Sequence, residues 1–520
     1  MPFTRSAGIL LHPTSLPGEY GIGDLGQSAF DWLDFLEAAG QRLWQVMPLG
    51  PTGYGDSPYQ CFSAFAGNPY LISLDALADE GFLTKEDLKD ARSEAVDSVD
   101  YGTVIPRKLE LLTRAYTSFA RGANRAQREH FEKFQKQHAS WLDDYALFMA
   151  LKEDHGGQPW NLWDPDIRLR ELTALEVWRK NLSDDIRRHQ FWQWLFFEQW
   201  QVVKWYAAGK DITIIGDIPI FIAYDSADAW ASPDLFHFDA HGEPTVVAGV
   251  PPDYFSETGQ RWGNPIYRWD RMAEDGFRWW IERFRATLTF FDVIRVDHFR
   301  GFEAYWEIPA AEPTAVRGRW VRGPGQAFFD AIKAALGELP IIAEDLGVIT
   351  PEVEELRDQN DLPGMRVLQF AFAGNASDPY LPHNYTRNCV VYTGTHDNDT
   401  TLGWYRTAPE AERDLVRRYL ARDDSNISWE LVRLASSSVA DLVVIPLQDL
   451  LGLDSGARMN TPGVATGNWS WRFRWEQLPS WLASQLYEMA ELYGRVATEV
   501  AEDTPYRQSV TEVAVETVEG

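Results

Sequence analysis

The sequence predicts a (β/α)₈ barrel, an α/β fold in which parallel strands alternate with helices around a closed core. Eight short runs rich in Val, Ile and Leu recur along the 520 residues, and helical patterns separate most of them. Val and Ile fill consecutive positions of these runs, as they do in strands that are buried on both faces. An open doubly wound sheet is the main alternative, but the first run is not followed by a Gly-x-Gly-x-x-Gly turn. The predicted strands are 8–11, 43–49, 212–219, 291–297, 340–344, 365–370, 389–393 and 442–446.

The sequence between these strands predicts two insertions in the barrel. About 160 residues separate the second and third strands, far more than a crossover needs, and most of them are periodic, so we expect a helical insertion at about 76–208. Residues at about 220–275 are rich in Pro, Gly, Asp and aromatic residues, and they predict a loop-rich lobe over the cleft. We expect one catalytic barrel over residues 1–520, without a C-terminal β-sandwich and with a frayed tail from about Glu502. The predicted helices are 28–39, 106–120, 125–137, 141–152, 183–208, 276–287, 325–335, 351–359, 409–421, 427–437 and 479–497.

The charge and hydropathy of the chain exclude several classes of partner. The formal net charge is −29, with 77 acidic against 48 basic residues, so nucleic acid and anionic membrane surfaces would be repelled. No apolar run approaches the ~20 residues of a membrane span, and the N-terminal sequence does not resemble a signal peptide. Two cysteines are too few for a disulfide scaffold. We therefore expect a cytoplasmic monomer that binds neither nucleic acid nor membrane.

Aromatic residues are unusually frequent. The chain has 23 Trp, 20 Tyr and 28 Phe. Because the flat C–H faces of sugars stack on aromatic rings, this composition favours a carbohydrate partner. The alternative is that these rings pack the helices onto the barrel.

Three of the predicted strands end in a carboxylate. The fourth, fifth and seventh strands are followed or closed by Asp297, Glu344 and Asp397. Side chains from several strand ends of a parallel barrel converge on one cleft, so we expect these three acids to meet at its mouth. This convergence predicts an active site.

The neighbours of the first two acids predict opposite effects on their pKa values. Arg295 and Asp297 point the same way on one strand, and a guanidinium lowers the pKa of a nearby carboxyl, as a nucleophile needs. A buried ion pair that only stabilises the barrel mouth is an equally good interpretation of these two residues. Glu344 follows an apolar strand, so burial and the negative charge of Asp297 predict a raised pKa. Two such carboxyls are the arrangement of glycoside cleavage with retention, in which one forms a glycosyl-enzyme and the other acts as acid and then base.

The third acid has a polar environment that allows more than one interpretation. Asp397 follows His396, and together they could hydrogen-bond the hydroxyls of a distorted sugar ring, although Asp and Asn also cluster in ordinary turns. Alternatively, Asp297, His298, Glu344 and His396 could bind a divalent metal ion. No His-x-His or His-Glu-x-x-His spacing supports that alternative. We expect no metal and no other cofactor.

Further motifs extend over nearly the whole chain and are specific. They are Asp56-Ser57-Pro58-Tyr59-Gln60, Gly67-Asn68-Pro69-Tyr70, Gly216-Asp217-Ile218-Pro219-Ile220, Gly249-Val250-Pro251-Pro252-Asp253-Tyr254-Phe255-Ser256, Gly259-Gln260-Arg261-Trp262-Gly263-Asn264-Pro265, Arg295-Val296-Asp297-His298-Phe299-Arg300-Gly301, Ala343-Glu344-Asp345-Leu346-Gly347 and Thr395-His396-Asp397-Asn398.

With these motifs the chain resembles the amylomaltases, which are the 4-α-glucanotransferases or disproportionating enzymes of glycoside hydrolase family 77 in the α-amylase clan. The resemblance implies that Asp297 is the nucleophile, Glu344 the general acid/base and Asp397 the transition-state stabiliser. It also implies a set of substrate-binding residues: Ser57, Tyr59, Asp217, Arg295 and His396 at the sugar site nearest cleavage, His298 beside them, and Tyr254, Gln260 and Trp262 on a loop over the acceptor side.

The resemblance implies a retaining transferase that passes a segment of maltooligosaccharide or starch to the 4-hydroxyl of another α-1,4-glucan or of glucose. Tyr254, Phe255 and Trp262 in the loop 249–264 could seat the acceptor ring and exclude water. An α-glucan hydrolase on the same barrel and a non-catalytic glucan-binding protein are the alternatives. Tyr54 and Tyr101 are candidates for a second glucan site or are ordinary surface tyrosines.

Overall fold

Eight parallel strands form a closed barrel, as the sequence predicts. The computed structural model describes residues 3–89, 91–93, 95–252 and 256–496. The strands in chain order are β1 (Ser6–Leu10), β2 (Leu43–Gln45), β3 (Thr213–Pro219), β4 (Val246–Val250), β5 (Gln260–Pro265), β6 (Val293–Asp297), β7 (Ala304–Pro309), β8 (Arg319–Arg322), β9 (Ile341–Ala343), β10 (Gly364–Val367), β11 (Cys389–Tyr392) and β12 (Leu442–Pro446).

The barrel closes in the order β1-β12-β11-β10-β9-β6-β3-β2, with β2 paired to β1. All eight predicted strands are present; β12 matches its predicted range of 442–446, and the other seven are shorter than or shifted from theirs. The predicted fold class is therefore confirmed. Close packing around the strands is visible at Gly216 of β3, where a β-carbon would lie 2.0 Å from the ring of Phe291.

The alternation of side chains along the barrel strands positions the acids. Val293 of β6 and Ile342 of β9 belong to the apolar cluster that is formed by alternate residues of the barrel strands. Residues two and four positions further along a strand share that orientation, because strand side chains repeat every two residues. Arg295, Asp297 and Glu344 therefore project over the inner cluster at the carboxyl end of the barrel.

Helices occupy most of the chain between β2 and β3, as predicted. Many of the side chains that these helices bury are aromatic, and the long helix Ser183–Gly209 alone buries Phe191, Trp192, Trp194 and Trp200. The α-helices are Gln27–Ala38, Leu74–Asp79, Lys85–Lys89, Tyr101–Gly122, Arg125–Gln137, Ala139–Asp154, Pro165–Arg168, Leu172–Asn181, Ser183–Gly209, Ala227–Ala231, Trp269–Glu274, Arg278–Phe290, Gln326–Leu336, Pro351–Gln359, Thr401–Thr407, Glu410–Leu420, Ile427–Ser437, Leu447–Leu450 and Leu482–Leu492.

One predicted helix begins earlier than its sequence indicates. The helix predicted from residue 106 begins at Tyr101 and contains Pro106, which cannot donate the usual backbone hydrogen bond. Tyr101 and Val104 are buried in an apolar cluster with Met47. This packing stabilises a first turn that local sequence alone does not predict.

The region after β3 departs most from expectation. Residues 220–275 were expected to be loop-rich, but they contain β4 and β5, which join β7 and β8 in a four-stranded antiparallel sheet of order β5-β4-β7-β8. The pairing of β4 with β5 is irregular, with a register shift between Val247 and Gly249. A bulged strand has no clear alternation of polar and apolar residues, which explains why the sequence pattern did not reveal this sheet.

The described chain after β12 contains helices and turns up to residue 496 and no further sheet, in agreement with the expected lack of a C-terminal β-sandwich. The tail from Glu502 lies outside the described residues. No helix among the described residues is long and apolar enough to cross a membrane.

Candidate active site

A cleft of about 830 Å³ opens at the carboxyl ends of the barrel strands. Its lining includes residues from β5, from the ends of β6 and β9 and from the loops after β2, β11 and β12. Asp217 is 1% exposed and lies beneath this surface. The predicted site residues that line the cleft are Ser57, Tyr59, Gln260, Trp262, Arg295, Asp297, His298, Glu344, His396 and Asp397.

A buried ionic network surrounds Asp297. Arg295 pairs across neighbouring strands with Asp217, and its Nη1 lies 2.5 Å from Asp217 Oδ2 and 3.0 Å from Asp297 Oδ1. The Tyr59 hydroxyl donates to Asp217 Oδ2 at 2.7 Å. Arg295 and Asp217 are almost fully buried, whereas the Asp297 side chain is 30% exposed to the cleft. The network therefore presents one carboxylate to a ligand and fixes it from behind.

The expected low pKa of Asp297 is wrong. Burial raises the pKa of the Asp297 carboxyl to about 6, and the negative charges of Asp217 and Asp397 add to this rise. Arg295 lowers the pKa of Asp297, as expected, but does not outweigh the burial. The carboxyl is still ionised at neutral pH, as a nucleophile requires.

The predicted environment of Glu344 agrees with the structure. Glu344 is 8% exposed, and burial together with the charge of Asp297 raises its pKa to about 8. Its Oε2 accepts a hydrogen bond of 2.6 Å from the backbone N–H of His298, and its Oε1 accepts one of 2.8 Å from the N–H of Leu346. His298 adopts the left-handed conformation at φ 55°, which turns the chain after β6 so that this N–H meets Glu344. Asp345, by contrast, is buried in an ion pair with Arg357 outside the cleft, at 2.5 Å.

Asp397 is held by residues that sequence reasoning did not select. The Asn460 side-chain amide donates to Asp397 Oδ1 at 2.6 Å, and Arg458 donates to the Asp397 backbone carbonyl at 2.6 Å. His396 Nε2 lies 3.5 Å from Asp397 Oδ1. The Asp397 side chain is 46% exposed, so it presents an oriented carboxylate to the cleft.

Aromatic rings form two walls of the cleft. The rings of Tyr59 and His396 stack with centroids 5.0 Å apart, and Trp469 contacts both at 5.7 and 5.9 Å. On the other wall, the Trp262 ring meets the His298 ring edge-on at 4.8 Å. The Trp262 indole donates to Gln260 Oε1 at 3.1 Å, which links two predicted acceptor-side residues.

The structure places the four remaining candidate glucan-binding residues in different environments. The Ser57 hydroxyl accepts a hydrogen bond from the Tyr59 backbone at 3.2 Å within the cleft lining. Tyr254 and the neighbouring Phe255 lie outside the described residues. Tyr54 is 79% exposed at the rim of the cleft. Tyr101 is buried, and its hydroxyl donates to the Trp469 carbonyl at 2.9 Å, so it is neither a surface tyrosine nor free to bind a glucan.

Comparisons with known proteins agree with this geometry. A family model described as 4-alpha-glucanotransferase matches residues 11–478. A 4-alpha-glucanotransferase of Thermus thermophilus is 55% identical over 504 residues, covering 95% of this chain and 100% of the relative. This chain belongs to the 4-alpha-glucanotransferase family. A Synechocystis member is 53% identical and covers 94% of this chain and 98% of the relative. The solved amylomaltase of Streptococcus agalactiae, in complex with acarbose, is 40% identical with a TM-score of 0.92, covering 95% of this chain and 100% of that one.

In this member of the 4-alpha-glucanotransferase family, the loop after β12 supplies the residues that the sequence analysis missed. Asn460 and Trp469 lie in a turn-rich segment that includes Thr461-Pro462-Gly463. A Pro-Gly turn followed by Trp residues after the last barrel strand was the available signal. It was weak because nothing local connects Asn460 to Asp397, 63 residues earlier in the chain.

The metal alternative receives no support from the same residues. Across the part of the chain that the structure describes, no group of three or more His, Cys, Asp or Glu side chains is arranged to hold a metal ion. The His298 ring packs edge-on against Trp262. His396 instead stacks on Tyr59.

Proposed function

We propose that this chain is a retaining 4-α-glucanotransferase that acts by double displacement. It moves a segment of an α-1,4-glucan from a donor maltooligosaccharide or starch to the 4-hydroxyl of an acceptor glucan or glucose. The observation that supports this most directly is the pair of carboxyls at the ends of neighbouring strands β6 and β9. At neutral pH Asp297 is ionised and Glu344 is protonated, with pKa values of about 6 and about 8.

In the first step, an Asp297 oxygen attacks the anomeric carbon of the donor ring. The bond from that carbon to the glycosidic oxygen breaks as Glu344 donates its proton to this oxygen, and the reducing-end portion of the donor leaves. The product is a glycosyl ester of Asp297 and an ionised Glu344. Arg295 stabilises the Asp297 carboxylate before attack, because its guanidinium is fixed 3.0 Å away.

In the second step, Glu344 removes the proton from the 4-hydroxyl of an acceptor. The acceptor oxygen attacks the anomeric carbon, the ester to Asp297 breaks, and both carboxyls return to their starting states. Two inversions at one carbon retain the α-configuration. No redox, phosphate or metal cofactor takes part in this scheme.

Asp397 and the Tyr59–His396 wall hold the donor ring in this proposal. Asp397, oriented by Asn460, accepts hydrogen bonds from ring hydroxyls, and these strengthen as positive charge develops in the transition state. Ser57, Tyr59, Asp217, Arg295 and His396 belong to the same donor site, and His298 lies beside Glu344. Gln260 and Trp262 form the acceptor side, where water must be excluded if transfer is to prevail over hydrolysis. The proposal assigns acceptor binding to Tyr254 as well, which lies outside the described residues.

The whole chain acts as one catalytic unit in this proposal, with the helices at about 76–208 and the region at about 220–275 as insertions in the barrel. The same proposal takes the active protein to be a monomer. Both cysteines, Cys61 and Cys389, are free thiols, which supports a cytoplasmic location. Light scattering on the purified protein measures its mass in solution, and a mass of more than one chain would contradict a monomer.

Incubation of the purified protein with maltotriose tests the function. The proposal expects glucose together with maltotetraose, maltopentaose and longer oligosaccharides, separated by chromatography. Glucose and maltose without longer products would identify a hydrolase, and unchanged maltotriose would identify a glucan-binding protein. Either of those results would overturn the proposal.

A further inference from the structure

One exposed tryptophan lines the cleft at some distance along the chain from the predicted site residues. Trp205, Trp320 and Trp481 are the exposed tryptophans among the described residues, and of these only Trp320 contributes to the cleft surface. Trp320 is 40% exposed and lies on β8, an edge strand of the antiparallel sheet. An indole that is exposed within a substrate cleft is available to stack on the flat face of a sugar ring.

The neighbours of Trp320 leave one face of its ring open. The Arg300 guanidinium carbon lies 3.8 Å from the ring centroid and therefore covers one face. Trp306, its cross-strand partner, contacts it at a centroid distance of 5.3 Å and an angle of 69°, which is an edge contact. The exposed area of Trp320 consequently falls on the opposite face and the free edges, and the ring lines the cleft.

Arg300 holds this ring rigidly and connects it to the reacting carboxyls. Arg300 is 4% exposed, donates to the Ala304 carbonyl at 3.3 Å and donates also to the Val348 carbonyl. It follows Asp297 by three residues, and Val348 follows Glu344 by four. The platform is thus tied to both segments that carry the proposed nucleophile and acid/base.

The role of Glu344 indicates which half of the cleft binds the acceptor. The group that protonates the glycosidic oxygen lies on the side of the leaving chain, and the acceptor later enters on that same side. Val348, which Arg300 contacts, belongs to the Glu344 loop, and Trp262 packs on His298, whose N–H binds Glu344. Trp320 and Trp262 are therefore both connected to the segments that carry Asp297 and Glu344, which favours the acceptor half of the cleft for Trp320.

We propose that Trp320, supported by Arg300, is a binding platform for a glucosyl ring of the acceptor chain beyond the ring that reacts. This inference rests on the proposed function, because it assigns the position of its acceptor. A pyranose presents a flat C–H face to the open face of the indole, and the neutral ring needs no counter-charge. The basic side chains around β8 are already neutralised in part, since Arg319 pairs with Glu307 at 2.7 Å and Arg317 with Glu312 at 3.4 Å. A neutral oligosaccharide fits this surface better than an anion does.

Loss of the Trp320 ring should change the KM only for acceptors that are long enough to reach it. The test uses α-maltosyl fluoride as donor, because fluoride leaves without a sugar and the leaving chain cannot obscure the measurement. Reducing-end-labelled acceptors of one to five glucosyl units are compared, and the apparent KM for each acceptor is measured for the wild type, Trp320→Ala and Trp320→Phe. Trp205→Ala is the matched control, since Trp205 is exposed on the helix Ser183–Gly209 and does not line the cleft.

We expect Trp320→Ala to raise the KM for the longer acceptors by about fivefold relative to the KM for glucose, the range of one aromatic stacking contact. Trp320→Phe should restore part of this difference, and Trp205→Ala should change neither value. An unchanged dependence of KM on acceptor length in Trp320→Ala overturns the platform, and so does an equal rise for glucose and for long acceptors, which would indicate a structural effect. If the wild type transfers to no acceptor, the proposed function itself is wrong; intact transfer with an unchanged length dependence contradicts only the platform.

Discussion

The two walls of the cleft are built in different ways. On the wall of Tyr59 and His396, the Tyr59 hydroxyl binds Asp217, which is almost fully buried with Arg295 and joined to it by a contact of 2.5 Å, on strands that pair residue by residue within the barrel. On the wall around Glu344, the carboxyl is fixed by two backbone N–H groups. The rings beyond it, Trp262 and Trp320, come from the added antiparallel sheet and are held through other rings and a guanidinium.

This difference matches the different demands on the two halves. The donor ring becomes covalently attached and must be held in one geometry, which a buried ionic network on rigid strands provides. The acceptor changes from turnover to turnover and can be glucose or a long chain. Flat aromatic contacts tolerate such variation, because every glucosyl ring offers a similar face. The comparison predicts that substitutions on the donor wall abolish turnover, whereas substitutions on the acceptor wall change the distribution of products.

The largest expected loss of activity comes from substitution of the two carboxyls, and a fluoride donor should distinguish their roles. Asp297→Asn should lower the turnover of maltotriose at least about 10⁴-fold, because no covalent intermediate can form. Glu344→Gln should lower it about 10²- to 10⁴-fold, the range of a general acid/base. With α-maltosyl fluoride as donor, Glu344→Gln should regain formation of the glycosyl-enzyme, since fluoride leaves without a proton, and Asp297→Asn should not. Fluoride release measured in a burst assay checks both variants. Equal recovery of the two variants would contradict the assignment of roles.

The next effect concerns the orientation of Asp397. Asn460→Ala removes a hydrogen bond of 2.6 Å to this carboxylate. A hydrogen bond to a charged group contributes about 1.5–3 kcal/mol, so kcat should fall about 10- to 100-fold with a smaller change in KM. Steady-state kinetics on maltotriose measure this split. Asn388→Ala is a suitable control, because Asn388 precedes β11 at the opposite end of the barrel. A change in KM alone would show that Asn460 binds the ground state instead.

The pH profile of kcat/KM should report the ionisation of both carboxyls. Asp297 must be ionised, and its pKa is raised by burial to about 6, so kcat/KM should fall about tenfold per unit below pH 6. Glu344 must be protonated, and burial raises its pKa to about 8, so kcat/KM should fall similarly above pH 8. The profile is therefore bell-shaped with a plateau near neutrality. In Glu344→Gln, assayed with α-maltosyl fluoride for the first step, the alkaline limb should disappear and the acidic limb should remain. An alkaline limb that persists in this variant would assign it to another group.

The smallest effect belongs to the acceptor wall. Trp262→Ala should raise the ratio of hydrolysis to transfer several-fold, because the indole that lines the cleft beside His298 no longer excludes water. Total donor cleavage should change less than this ratio. Released glucose and transferred glucan are measured together on maltotriose, with Trp205→Ala as the control. Shortening the loop 249–264 should act in the same direction, and an unchanged ratio in both variants would refute the role of this wall.

The barrel and its three acids could be predicted because their signals are local. Runs of Val or Ile mark β6, β9 and β11. Asp297 closes β6, Glu344 follows β9 directly and Asp397 follows β11 by five residues. The antiparallel sheet could not be predicted, since β4 pairs with β7, which lies about 60 residues further along the chain, and its pairing with β5 is bulged. The pKa of Asp297 was wrongly predicted for a similar reason. Arg295 is visible two residues away in the sequence, whereas the depth of burial and the approach of Asp217 and Asp397 are properties of the folded chain.

The central claim is that Asp297 becomes covalently bound to the donor sugar, and trapping this intermediate tests it most directly. The protein is incubated with a fluorinated glycosyl fluoride that forms the glycosyl-enzyme quickly and turns it over slowly, digested with trypsin and analysed by mass spectrometry. Cleavage after Arg295 and Arg300 isolates Asp297 in the peptide Val296–Arg300, which should gain the mass of one fluorosugar unit. An adduct on any other peptide, or turnover of the reagent without an adduct, would contradict the account.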